Sequence, residues 1–106
     1  MTKPVVTRHK ADEDLDIAFD YYLLEAGPEI AEAFINEFER VASYLSRNST
    51  SGSTSIGHAL AIKDLRQWPL RRFPYLIIYV DRGHIVEIWR VLHGQRDIPE
   101  LMRLEE

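Results

Sequence analysis

Two hydrophobic rhythms divide this chain. Between Leu15 and Leu45 apolar residues recur at steps of three and four, the spacing of a helix with one buried face. Between Leu65 and His93 they instead run together or alternate, as strands do. In the first region Leu15, Ala18, Phe19, Tyr22 and Ala26 mark the apolar face of one helix. Asp12, Glu13 and Asp14 crowd its start, where negative charge meets the positive end of the helix dipole. Gly27-Pro28 interrupts the pattern; glycine suits the end of one helix and proline the first turn of the next. Ile30, Phe34, Phe38, Val41 and Leu45 then form the stripe of a second helix, widened by Ala31, Ile35 and Ala42. So short a junction predicts an antiparallel helical hairpin, and each stripe needs a further layer to cover it.

The strand-like region supplies that layer. Tyr75–Val80 is a nearly continuous apolar run, suited to a strand buried on both faces. Asp81–His84 makes a tight turn with Gly83 free to take positive φ, and Ile85–His93 returns as the last strand. Ala59–Lys63 and Leu65–Leu70 supply one or two shorter strand pieces. Pro4–His9 is β-branched and predicts a first strand, with its proline at an edge or the first position. Ile98, Leu101 and Met102, opened by Asp97-Ile98-Pro99, predict a short terminal helix. The Ser/Thr/Gly stretch from Arg47 to Gly57 predicts a mobile loop; it lacks the glycines and lysine of a phosphate-cradling loop. The expected fold is α+β in two layers: β-α-α-β-β-β plus a short C-terminal helix, with the hairpin packed on a curled antiparallel sheet. The sheet's other face is expected to be open to a partner.

At 106 residues the chain fits one domain, residues 1–106. There is no cysteine, and His9, His58, His84 and His93 lack metal-ligand spacing, so neither a metal nor another cofactor is expected. No run approaches the ~20 apolar residues of a membrane span, and the N-terminus lacks an apolar signal core; the expectation is a cytoplasmic protein. The net charge of −4 is unevenly placed. Residues 1–47 carry five Lys/Arg against ten Asp/Glu, a balance of −5, whereas residues 57–98 carry seven against four, a balance of +3. An acidic chain does not grip a polyanion along its length, so direct DNA binding is not expected.

Arg72-Phe73-Pro74-Tyr75, leading into a strand that ends at Tyr79, and Arg90-Val91-Leu92-His93-Gly94-Gln95-Arg96-Asp97 resemble the RelE/ParE superfamily of toxin–antitoxin toxins, and its ParE branch in particular. The helical hairpin and the element order agree with that resemblance from about Thr7 to Leu104. It implies a small toxin that inhibits DNA gyrase by binding it. It also implies a ParD-type antitoxin partner, whose tail wraps the toxin and whose N-terminal part binds DNA. The helical hairpin and the sheet are expected to form the antitoxin groove.

The chemistry weighs the branches. Ribonucleases of the superfamily set cations around the scissile phosphate, with a group to move the proton. Where those enzymes place lysines before the central strand, this chain has Gln67 and Pro69; Leu76 stands where they place an arginine, and Met102 near their C-terminal tyrosine. The rival assignment is His93 as acid or base, assisted by Arg90, Arg96 and Arg71, since imidazole exchanges protons near neutral pH. Alternatively His93 bonds the backbone or Asp97, and an Arg96–Asp97 pair tethers the terminal helix. Strand alternation puts Val86, Ile88, Arg90 and Leu92 on one face; turned toward the helices, that set leaves Arg90 at a buried edge in need of an acidic partner. It also exposes Trp89 and His93 together. Arg71, Arg72, Tyr75, Trp89, His93, Arg96 and Asp97 are therefore the expected partner or target surface, with Trp68 and Tyr79 as further aromatic candidates. Three functions follow: a gyrase-inhibiting toxin, an mRNA endonuclease of the RelE kind, or a non-toxic member that only binds its antitoxin.

Overall fold

The computed structural model describes residues 2–96 and 98–103. Its elements are β1 (Val5–Thr7), α1 (His9–Ala26), α2 (Pro28–Arg47), α3 (Ser55–Leu60), β2 (Leu65–Pro69), β3 (Tyr75–Asp81), β4 (Val86–His93) and α4 (Ile98–Arg103). The α+β expectation holds. The sheet has the order β1-β4-β3-β2. It is mixed rather than wholly antiparallel, because β1 lies parallel to β4 while β2, β3 and β4 form antiparallel pairs.

The hairpin forms where the sequence predicts it. Gly27, at φ 94°, donates its N–H to the carbonyls of Tyr22 (3.0 Å) and Leu23 (3.2 Å), and Pro28 opens α2. Ala31, Phe34, Phe38, Val41 and Leu45 are buried, and the last four join Ile77, Tyr79, Val86 and Ile88 of the sheet in the main core.

Two expectations fail on the other side of the sheet. That face is not open: Leu65, Ile78, Val80, Trp89 and Leu92 meet Ile98 and Met102 of α4, with Ile56 and Leu60 of α3 packed against them. Ala59–Lys63 is not a strand either, since α3 occupies Ser55–Leu60 and a turn follows with Ala61 and Asp64 at positive φ. Ile56 and Leu60 stand four apart and reach the sheet from one face of that helix, which outweighs the β propensity of the segment. The Ser-rich stretch is also held in place. The buried Tyr79 hydroxyl donates to the Ser49 carbonyl (2.9 Å) and accepts from the Gly52 N–H (3.0 Å). Gly52 sits so close to that hydroxyl that a β-carbon would collide with it.

These contacts also close the free edge of β2. Gln67 exchanges both backbone hydrogen bonds with Ser53 (2.9 and 3.0 Å), and the Leu65 N–H meets the Ile62 carbonyl. Pro69 has no N–H to offer, and the Arg71 N–H is taken by the Glu37 carboxylate (2.6 Å). An edge whose donors are all engaged does not template another strand.

Candidate functional site

The end of β4 owes its orientation to a bulge. Ile78 pairs with Arg90 and Tyr79 with Ile88, so Trp89 is an extra residue without an opposite number. Before the bulge, Val86 and Ile88 face the hairpin as expected. After it the phase changes: Val91 joins the hairpin-side core and Leu92 the opposite one, overturning the uninterrupted alternation. His93 accordingly turns toward Tyr75, with ring centroids 5.3 Å apart, and shares a small cavity with Asp14, Ile17 and Ala18 of α1.

Tyr75, His93 and Arg96, three of the expected site residues, line one cavity of about 420 Å³ with Tyr21, Tyr22 and Pro74. Its floor is a cluster of rings in which Tyr22 meets Phe73 (5.1 Å) and Tyr75 meets Phe34 (5.3 Å). Burial, together with the neighbouring Tyr21 ring and the Asp14 charge, raises the Tyr75 pKa against the opposing effect of Arg96. Tyr75 is therefore a neutral phenol here, a hydrogen-bonding group rather than a base. The exit from β4 is fixed by the backbone: Gly94 N–H donates to the Pro74 carbonyl (2.7 Å) and Arg96 N–H to the His93 carbonyl (3.0 Å). His93 Nδ1 accepts from the Gln95 N–H (3.1 Å), which leaves Nε2 as the ring nitrogen not engaged by the backbone.

The remaining expected residues are elsewhere. Arg90 does find an acidic partner: it grips Asp14 through Nε (2.8 Å) and Nη2 (2.9 Å), and the same carboxylate accepts the Val91 N–H (3.0 Å). This pair is largely buried, so its guanidinium is a tie between α1 and β4. Arg71 lines a different groove with Arg40, Tyr44 and Trp68. Arg72 is exposed with φ 69°. Trp89 lies on the face away from the hairpin, as expected, but is buried rather than exposed. The Arg8 guanidinium stacks on it at 3.7 Å, and its Nε1–H donates to Glu87 (2.8 Å). Its burial follows from the same unforeseen covering of that face. Trp68 and Tyr79 belong to the hairpin-side core, Tyr79 fully buried and Trp68 partly so. Asp97, and with it the suggested pairs to Arg96 and His93, lies outside the described residues. Among the described residues no group of three His, Asp or Glu side chains could hold a metal ion.

The sequence reading missed the most exposed part of this region. Ile17 (69% exposed), Tyr21 (55%) and Leu24 (85%) form a stripe on the outer face of α1, beside the Tyr75–His93–Arg96 cavity. Their spacing of four and three was visible in the sequence as a second apolar stripe, one turned away from the hairpin core. Contiguous exposed apolar side chains of this kind are candidates for protein contact.

The comparisons agree with this architecture. Residues 5–98 match the family model described as the ParE toxin of the type II toxin–antitoxin system parDE. A solved structure of the chromosomal ParDE toxin–antitoxin system from P. aeruginosa has a similar fold. Its TM-score is 0.74 at 23% identity, over 89% of this chain and 98% of that one. No curated protein sequence matches the chain. Among the described residues no helix is long and apolar enough to cross a membrane.

Proposed function

Because this chain belongs to the ParE toxins of type II toxin–antitoxin systems, we propose that it acts by binding and inhibiting DNA gyrase and is held inactive by a ParD-type antitoxin. The observation that carries the reading is the scattering of cations around His93. Cleaving a phosphodiester needs positive groups converging on one phosphate. Arg96 alone of the candidate arginines shares the His93 cavity. Arg90 is bound to Asp14 and Arg71 lies in another groove. What the region offers instead is area for protein contact. We assign the antitoxin tail to the Ile17–Tyr21–Leu24 stripe and the adjoining aromatic cavity. DNA contact, on this reading, belongs to the antitoxin.

The ribonuclease reading keeps one supporting observation, the grouping of His93, Tyr75 and Arg96 in a cavity. Overexpression separates the two. A gyrase inhibitor arrests growth, induces the DNA-damage response and accumulates cleaved gyrase–DNA complexes while transcripts stay intact. Transcript cleavage by purified protein, lost in His93→Ala, would reverse the assignment. A chain that leaves cells fully viable would be one that only binds its antitoxin.

A further inference from the structure

The groove between α2 and the end of β2 has no role in the reading above. It has a volume of about 300 Å³ and is lined by Arg40, Tyr44, Trp68, Pro69, Leu70 and Arg71. Tyr44 and Trp68 form its apolar floor, with ring centroids 5.0 Å apart at 31°. Its cations differ in availability. Arg40 is clamped by Glu37 through Nε (2.7 Å) and Nη2 (2.8 Å). Arg71 and Arg72 are exposed and form no ion pair among the described residues, although Arg71 helps lower the Glu37 pKa and the Arg72 guanidinium lies 5.6 Å from the centre of the Phe73 ring. Arg72 also holds a left-handed backbone conformation.

We propose that this groove is a second protein-docking surface, taking an acidic segment of the toxin's target by side-chain contact; the target assignment rests on the toxin reading above. Two features define the occupant. The β2 edge beside the groove is closed by Ser53, Ile62, Pro69 and Glu37, so the segment cannot bind by adding a strand. The charge pattern selects its sign. At the groove Arg40, Arg71 and the adjacent Arg72 stand against the single carboxylate of Glu37, whereas the α1 stripe is bordered by Glu13, Asp16 and Asp20. An acidic segment with an apolar anchor is thus drawn to Tyr44, Trp68 and the exposed guanidinium of Arg71, with Arg72 next to it in the chain, and repelled from α1. A protein segment fits better than a nucleic acid. The two rings close on each other, and Glu37 cancels Arg40, one of the two cations that line the groove, leaving too little charge to follow a phosphate backbone.

The test has two arms. Purified protein is titrated with the synthetic peptide Asp-Glu-Leu-Phe-Glu-Asp while tryptophan emission is recorded, alongside a Trp68→Phe control. A salt-sensitive shift that disappears in the Trp68→Phe protein and in Arg71→Glu/Arg72→Glu, with circular dichroism unchanged, is the expected result. No shift, or a tighter response to a short oligothymidylate, overturns the proposal. In cells, Arg71→Glu/Arg72→Glu should lose growth arrest yet still co-purify with the antitoxin. Losing both properties, or neither, counts against a separate target surface. Wild-type protein that fails to arrest growth refutes the toxin reading alone, and the peptide titration still decides the groove.

Discussion

Asp81 ties three distant segments together at the scale of a single side chain. It accepts from Lys3 Nζ (2.8 Å), Ser49 Oγ (2.8 Å) and the Gly83 N–H (2.8 Å). Burial alone would raise its pKa, but these three donors outweigh that effect and hold it at about 2, against an ordinary 3.8. A carboxyl that binds its proton less tightly when folded adds stability above its ordinary pKa and loses it as the pH falls toward the folded value. The shift corresponds to about 2 kcal/mol. Urea unfolding should therefore show Asp81→Asn weaker than wild type at pH 7, with the gap closing between pH 4 and pH 2. Tyr79 is the second such residue. Tyr79→Phe leaves the Ser49 carbonyl and the Gly52 N–H without their buried partner, at an expected cost of about 1–3 kcal/mol in the same assay. Phe34, wholly buried among Tyr22, Phe73 and Tyr75, should cost about 3–5 kcal/mol when replaced by alanine.

At the scale of elements, the two helices bury their apolar faces differently. On α2 the buried residues follow the sequence stripe from Ala31 to Leu45. On α1 only Ala11 and Ala18 are fully buried, and a second stripe faces outward. Leu24→Ser should therefore shift the unfolding midpoint by less than about 0.5 kcal/mol in stability. It should nonetheless weaken antitoxin capture in a pull-down from co-expressing cells; capture at wild-type strength would exclude the stripe from the antitoxin surface. The difference between the helices explains what the sequence could reveal. A 20-residue helix with one stripe declares itself by repetition. The six residues of α3 are too few to repeat, and their Ser-rich approach has the composition of a loop. Nothing in that composition says that a tyrosine hydroxyl thirty residues away will hold it. The cavity was half legible for a similar reason. Tyr75, His93 and Arg96 stood out as polar groups closing an apolar strand, whereas Asp14 and Ile17 belong to a helix and become neighbours only through packing.

For the whole molecule, the described surfaces sort by charge and by chemistry. The acidic, apolar outer side of α1 continues into the ring-lined cavity at the end of β4. The groove beside β2 presents guanidinia instead. Between them the sheet is covered on both faces, by the hairpin and by α3 with α4. One local irregularity keeps this arrangement in order. Trp89 occupies no rung of the β3–β4 ladder, so excising it would leave Ile88 opposite Tyr79 and Arg90 opposite Ile78, as they already are. A chain shortened by that one residue would lose the indole and its stacked arginine yet still aim His93 at Tyr75. Shortening the strand by one anywhere between Arg90 and Leu92 would instead swing the imidazole to the far side of the sheet. The β3–β4 register survives a change of length at that single point only, and a substitution scan that keeps length constant would never find it.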